Sequence, residues 1–144
     1  MSLHDRVGDA LLLWESGRRE GAFLTALVAV AATARKRFPD RKAIGDRDAF
    51  ERFLQSAHSV RLSVEYRGEC QSIEHIFYKW FRCQLVHEGG LPIDIEFMMD
   101  EPASLSVRAG GAPEFILKVS EGWFHHLVVA VVEAPENADF FVSR

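Results

Sequence analysis

The spacing of apolar residues changes along the chain, and this change constrains the fold more than any other feature. Residues 3–58 place apolar side chains three and four positions apart, which is the spacing of helices that bury one face. Residues 60–67 and 93–120 alternate apolar and polar side chains instead, as half-buried strands do. Helical spacing returns over residues 72–88 and from residue 122 onward. The sequence therefore predicts a mainly α, α+β fold.

Three helices are predicted before the first change of spacing. The first runs from Leu3 to Ser16, and Gly17 ends it;. The second contains the most apolar run of the chain, residues 22–34, and ends in three cations before Pro39;. This run is shorter than the ~20 residues of a membrane-spanning helix, so a buried helix is expected. The third helix is predicted from about Asp46 to His58, capped by Asp46 or Asp48;.

The second half of the chain is predicted to mix strands with two further helices. Residues 60–67 form either a strand or an extended loop. Ser72 is a good N-cap for a helix that ends at Gly89 and Gly90;. Three alternating segments within residues 93–120 are separated by turn-forming residues, which predicts an antiparallel meander;. A last helix follows, and the tail from Pro135 onward is expected to be loosely held.

Composition excludes several classes of protein. At 144 residues the chain is long enough for one domain, residues 1–144, with its own core. Charged residues make up 26% and apolar residues 48%, which argues against intrinsic disorder. The net charge of −4 argues against polyanion binding over the whole surface and leaves room for a local basic patch. Two cysteines and no secretory leader predict a reducing cytoplasm and no membrane attachment;.

The helix that ends at Gly89 carries Arg82 and His87, a pair suited to chemistry on a phosphodiester. An imidazole exchanges protons near neutral pH, and a guanidinium holds phosphate oxygens with a two-pronged fork. Five residues on an ideal helix turn the side chain by roughly 140°, so the two do not share a face. Either the last turn bends at Gly89, or two copies of the helix combine their residues across a two-fold axis. This chemistry requires no metal or cofactor, and no residues have the spacing of zinc or calcium ligands.

The residues around this pair resemble a known family. A helix with aromatic residues, a Tyr78-Lys79 pair, Arg82 and then His87 is similar to the HEPN superfamily (higher eukaryotes and prokaryotes nucleotide-binding domains). The resemblance implies an antiparallel helical bundle that dimerises, with the β meander of about residues 93–120 inserted before the last helix. It also implies a metal-independent endoribonuclease in which Arg82 and His87 promote attack of the ribose 2′-hydroxyl on the adjacent phosphate.

The resemblance assigns further roles and leaves alternatives. Supporting positions are Tyr78, Glu88 and Cys83, and Cys83 stands where the family usually has a polar residue. The alternative is a non-catalytic HEPN-like module that binds a nucleotide, RNA or a protein partner, such as an antitoxin in a toxin–antitoxin or regulatory pair. A third hypothesis is an interaction protein in which a strand edge recruits a partner. RNA-binding cations are expected in the following residues: Lys79, Arg35, Lys36 and Arg37.

Other features have simpler interpretations. Arg52 and His58 form a rival pair with similar spacing. The cations at the end of the second helix alternatively satisfy helix carbonyls. His125 and His126 are expected on a solvated helix face, because adjacent helical residues point about 100° apart. Cys70 and Cys83 are expected to be small packing residues, and the tryptophans are expected to be core or dimer contacts: Trp14, Trp80 and Trp123.

Overall fold

A computed structural model describes residues 2–58, 61–98, 105–110 and 115–141. The fold is mixed α+β, with helices dominating and two small sheets, which confirms the predicted class. None of the described helices combines the length and apolar content needed to cross a bilayer.

The first three helices lie where the apolar spacing predicts them. They are α1 (Leu3–Glu15), α2 (Arg19–Arg37) and α3 (Asp46–Ala57). The Oγ of Ser2 caps α1 by accepting from the Asp5 amide at 3.2 Å. The predicted acidic cap of α3 is wrong, because Gly45 is the N-cap and Asp46 already belongs to the first turn. A carboxylate in the first turn still stabilises the helix through its dipole.

Helix α2 forms the centre of the core. It contacts α1, α3, the fourth helix and the last helix, which is why most of its apolar run is buried. Phe23 is fully buried and stacks on Phe97 with ring centroids 4.8 Å apart. Its ring also lies within 6.2 Å of the rings of Phe77, Phe81, Phe124 and Trp14. This aromatic cluster joins the helices to the second sheet.

A hairpin of β1 (Ser63–Tyr66) and β2 (Glu69–Ser72) follows α3. Its two-residue turn, Arg67 and Gly68, has φ of 52° and 80°. Two consecutive positive φ values define the type I′ turn, which matches the twist of antiparallel strands. The strand prediction for residues 60–67 is therefore confirmed over β1, and residues 59 and 60 lie outside the described residues.

The fourth helix is continuous but changes its winding. It consists of α4 (Ile73–Ile76), a π-helical segment (Phe77–Cys83, the π segment) and α5 (Gln84–Glu88). As predicted, the Oγ of Ser72 accepts from the His75 amide at 3.2 Å. Gly89 ends the helix with φ of 78°, a left-handed conformation that glycine adopts without strain.

The second sheet corrects the predicted antiparallel meander. Its strands are β3 (Ile95–Met98), β4 (Val107–Gly110) and β5 (Ile116–Ser120), in the spatial order β3-β5-β4. β5 pairs parallel with β3 and antiparallel with β4. Leu117 and Val119 on β5 are fully buried. Because β5 lies in the centre of the sheet, the backbone groups on both of its edges have hydrogen-bond partners.

The last helix, α6 (Gly122–Val132), is followed by a 3₁₀ turn (Pro135–Asn137) that is held firmly. The side-chain amide of Asn137 is buried and donates to Thr33 Oγ1 and to the Val131 carbonyl, both at 2.9 Å. Glu136 accepts from Arg37 at 2.6 Å and 3.1 Å. The expectation of a loosely held tail from Pro135 is therefore wrong as far as Phe141, the last described residue.

Candidate functional site

Arg82 is half-buried on the π segment and lines a cleft of about 420 Å³ between α2, α3 and the fourth helix. We call it the arginine cleft. Its guanidinium carbon lies 5.6 Å from the centre of the Tyr78 ring. The cleft is lined by the following residues: Val28, Ala31, Ala32, Arg35, Arg41, Asp46, Ala49, Tyr78 and Arg82. The structure thus brings three of the predicted site residues together: Arg82, Arg35 and Tyr78.

The connection between α2 and α3 forms the rim of the cleft, and Arg35 shapes it. The Arg35 guanidinium donates to the carbonyls of Phe38 at 2.8 Å and Ile44 at 3.0 Å, and to Asp46 at 2.6 Å. Arg41 also donates to Asp46, at 3.1 Å. The Arg35 side chain is 17% exposed and that of Arg41 is 70% exposed. Arg35 therefore holds the rim, as the helix-end alternative expects, while the largely exposed Arg41 must exchange its contact with Asp46 to reach a ligand.

The electrostatics of the arginine cleft favour an anion. Three guanidiniums face a single carboxylate among the lining residues. The hydrogen bond from Arg35, with the charges of Arg41 and Arg82, holds the pKa of Asp46 below its ordinary value. Burial raises the pKa of Tyr78, so its hydroxyl stays protonated and can donate. The Nε atom of Arg82 is buried and makes no hydrogen bond with any described residue, so a ligand reaches this donor only after the side chain moves.

His87 does not join Arg82 in this cleft. It is exposed in α5, near the end of the fourth helix, and does not belong to the residues that line the arginine cleft. Of the other predicted residues, Lys79 is exposed with its Nζ 4.8 Å from the centre of the Trp80 ring, Glu88 is exposed, and Cys83 is half-buried. Cys70 is exposed, which corrects its expected packing role.

The predicted RNA-binding cations at the end of α2 are divided between two sides of the helix. Residues two positions apart point about 200° apart on a helix, so Arg35 faces the arginine cleft while Arg37 faces another cavity. Arg37 donates to Glu136 and, at 2.6 Å, to Ser56. Lys36 donates to Asn137 at 3.3 Å and lies over the Phe140 ring. Arg37 and Lys36 therefore hold the C-terminal turn in place.

A second cluster of functional groups consists of His58, Glu74 and His126, and we call it the histidine cluster. No sequence pattern predicted it. His58, at the end of α3, has its Nε2 3.3 Å from Oε1 of Glu74 on α4, and these side chains are 5% and 3% exposed. The Nδ1 atom of His58 lies 2.6 Å from Nε2 of His126 on α6. His125 is exposed as expected, but the expectation of a solvated face is wrong for His126. The rival pair also separates, because Arg52 is exposed while His58 points into this cluster.

The pKa values of Glu74 and His126 are both shifted in this cluster. Burial alone would raise the pKa of Glu74, but the His58 ring and the helix backbone outweigh it and hold that pKa below its ordinary value. Burial, and then the charge of His58, lower the pKa of His126. Among the residues that the structure describes, no three histidine, cysteine or acidic side chains are placed to hold a metal ion. The arrangement therefore suits proton exchange, with Glu74 ionised and His126 neutral.

Comparison with known proteins identifies the family of the chain. The family model described as Rv1289 matches residues 2–144, so the match includes both the arginine cleft and the histidine cluster. Neither the comparison with curated proteins nor the comparison with solved structures finds a match. Because the match covers nearly the whole chain, this protein belongs to the Rv1289 family.

Proposed function

We propose that this chain is a HEPN-like domain that binds RNA through the phosphates that enter its arginine cleft. The observation that carries the proposal is the donor set of the cleft: Arg82, with an uncommitted buried Nε, beside Arg41 and Arg35. A guanidinium presents a planar fork of donors that matches two phosphate oxygens. The choice of RNA rests on the resemblance of Tyr78, Lys79, Arg82 and His87 to the HEPN pattern.

The proposal divides the work among the three arginines. Arg41 is largely exposed and makes the first contact with the phosphate. Arg82 is half-buried, so its contact is made in a less polar environment where a charged hydrogen bond is stronger. Arg35 keeps the rim in shape through the Phe38 and Ile44 carbonyls. Because the chain carries a net charge of −4, binding is confined to this cleft and weakens with salt.

Fluorescence anisotropy with a single-stranded RNA tests this assignment. Loss of one phosphate contact in Arg82→Gln is expected to weaken binding about 10- to 100-fold, since a hydrogen bond to a charged group contributes about 1.5–3 kcal/mol. The slope of log affinity against log salt is expected to fall by about 0.7. Arg52→Gln removes the same charge from the exposed face of α3 and is the matched control. Equal affinities and slopes for the two variants would contradict the proposal.

A second candidate function is the metal-independent endoribonuclease, and the position of His87 favours it. His87 is exposed beside the left-handed Gly89, where a second copy can reach it. In this scheme the imidazole takes the proton of the ribose 2′-hydroxyl, whose oxygen attacks the adjacent phosphorus. The bond to the 5′-oxygen breaks, the leaving oxygen takes a proton from water, and a cyclic phosphate remains. The partner's arginine cleft stabilises the charge that develops on the phosphate oxygens.

Mixing two variants tests whether the second candidate operates across a dimer. His87→Ala and Arg82→Gln are each expected to lose RNA cleavage in the presence of a chelator. A mixture of the two recovers cleavage, because a mixed dimer contains one intact pair. Cleavage by His87→Ala alone removes the histidine from the mechanism. Binding without any cleavage by the unaltered protein leaves the binding module as the function.

A further inference from the structure

The histidine cluster opens onto a cavity that is separate from the arginine cleft. This histidine cavity has a volume of about 430 Å³, and His126 lies in its wall. Its apolar walls include Phe53, Val129 and Pro135. Arg37 also lines it, but Glu136 neutralises this guanidinium through contacts of 2.6 Å and 3.1 Å. Ser56 and Glu133 add polar groups to the wall, so the cavity suits a small uncharged molecule with polar and apolar parts better than a phosphate.

The contacts of His58 and His126 assign a role to each ring nitrogen. His58 faces Glu74 with Nε2 and His126 with Nδ1. The nitrogens joined at 2.6 Å share one proton, because an imidazole nitrogen either donates or accepts. This contact occupies Nε2 of His126 and leaves Nδ1 of the same ring. Nδ1 is therefore the nitrogen that remains for a ligand in the cavity.

The three groups can pass a proton in either direction. When His58 is cationic, it donates from Nδ1 to Nε2 of His126, and Nδ1 of His126 carries a proton that it can give to a ligand. As that proton leaves, His126 takes the His58 proton on Nε2, and His58 becomes neutral beside Glu74. In the neutral form Nδ1 of His126 is bare and accepts a proton from a ligand, and the same shifts run in reverse. The relay loses one proton when it donates to the ligand and gains one when it accepts from the ligand.

We propose that the histidine cavity is a proton-exchange site for a small organic molecule with a hydroxyl or carbonyl group and an apolar remainder. His126 is the residue that contacts the ligand, and Glu74 and His58 are positioning residues that set its proton. The apolar part of the ligand lies against Phe53, Val129 and Pro135.

The burial of the cluster supports this proposal over a purely structural role. The Glu74 and His58 side chains are sealed from solvent, but His126 is partly exposed and lines the cavity. A buried ion pair brings little net stability compared with apolar residues of the same size, so packing alone does not require one here. The lowered pKa of His126 keeps its ring neutral near pH 7, as a group that exchanges protons requires.

Chemical modification of the whole protein with diethyl pyrocarbonate tests whether His126 is reachable and coupled to Glu74. The reagent is a small, largely apolar carbonyl compound that transfers an ethoxycarbonyl group to an unprotonated imidazole nitrogen. Peptide mass spectrometry in a His125→Gln background reports His126 without interference from its exposed neighbour. We expect His126 to react at a rate comparable to that of the exposed His87. Charged groups near the cluster that contribute to its pH dependence are Arg37, His58, Glu74, Glu133 and Glu136.

The pH dependence of the reaction distinguishes a relay from an isolated histidine. Glu74→Gln removes the carboxylate that faces Nε2 of His58, so a proton shared by the two rings is held less tightly and the midpoint of His126 modification is expected to move to lower pH. Protection of His126 while His87 reacts, or an unmoved midpoint, overturns the proposal. If Glu74→Gln does not fold, ¹⁵N NMR of the unaltered protein decides. A shared titration step for His58 and His126 supports the relay, and two independent steps refute it.

Discussion

Replacing Glu74 with alanine is expected to lower the free energy of unfolding at pH 7 by about 3–5 kcal/mol, the range for removing one partner of a buried ion pair. The Glu74 and His58 side chains are 3% and 5% exposed. Without the carboxylate, the buried Nε2 of His58 has no acidic partner. In addition, the removed side chain leaves a void in the core. Urea unfolding followed by circular dichroism measures the change.

Glu51→Ala is the matched control for this substitution. Glu51 also lies near a histidine, with its Oε2 3.6 Å from Nδ1 of His75, but its side chain is 19% exposed and it is shared with Arg47. Solvent-exposed ion pairs contribute about 0–1 kcal/mol to stability. The free energy of unfolding of this variant is therefore expected to fall by less than about 1 kcal/mol. A Glu74→Ala protein as stable as Glu51→Ala would show that the buried pair does not hold α3 and α4 together.

Replacing Asp94 with alanine is expected to destabilise the protein by about 2 kcal/mol, because it leaves a buried hydroxyl without an acceptor. Asp94 accepts from the Tyr66 hydroxyl at 2.7 Å and from two nitrogens of Arg67, each at 2.9 Å. Tyr66 is fully buried. These contacts join the first hairpin to the residue that precedes β3. Asp9→Ala, which removes an exposed partner of Arg6 at 3.3 Å, is expected to change stability by less than about 1 kcal/mol.

The contribution of Asp94 is expected to depend on pH. The Arg67 and Tyr66 hydrogen bonds outweigh burial and hold the pKa of Asp94 below its ordinary value. A carboxyl group with a lowered pKa in the folded state stabilises the fold above its unfolded pKa of about 3.9. That contribution is lost as pH falls through the lower folded value. The stability difference from Asp94→Ala is therefore constant between about pH 8 and 5 and shrinks below about 4. A difference that grows on acidification would contradict this assignment.

The helices were predictable because their signals are local. Apolar spacing of three and four residues located all of them, and Ser72 and Gly89 mark the ends of the fourth helix as predicted. The π segment was not predicted. A π-helical turn contains one extra residue, but the apolar spacing of the aromatic residues still looks α-helical in the sequence. The cap of α3 was missed because Gly45 and two acidic residues stand side by side, and composition does not decide between neighbouring cap positions.

The order of the strands was not predictable from the same signals. Alternation identifies which face of a strand is buried, but it carries no information on the neighbour or its direction. β5 is the most buried strand of the sheet, and this explains its central position once the sheet is seen. An observer of the sequence alone chooses the connection with the shortest loops, which is the meander.

The two candidate sites differ in how visible they are in the sequence. Arg82 was singled out because one helix holds the whole HEPN-like pattern. Its neighbours Arg41 and Asp46 lie between α2 and α3 and at the start of α3. Their proximity to Arg82 could be seen only in the folded structure. The Glu74, His58 and His126 cluster combines three elements that are distant in sequence, and no single segment contains two of its members at an informative spacing. Residue chemistry indicates what a side chain can do, and only packing decides which side chains meet.

An NMR titration with single-stranded RNA that follows the Nε–Hε signals of the arginine side chains tests directly whether the arginine cleft receives an RNA phosphate. We expect the signal of Arg82 to move with RNA concentration and to saturate, while the signals of Arg37 and Arg52, which lie outside the cleft, stay in place. RNA that shifts other signals and leaves Arg82 unchanged would contradict the claim.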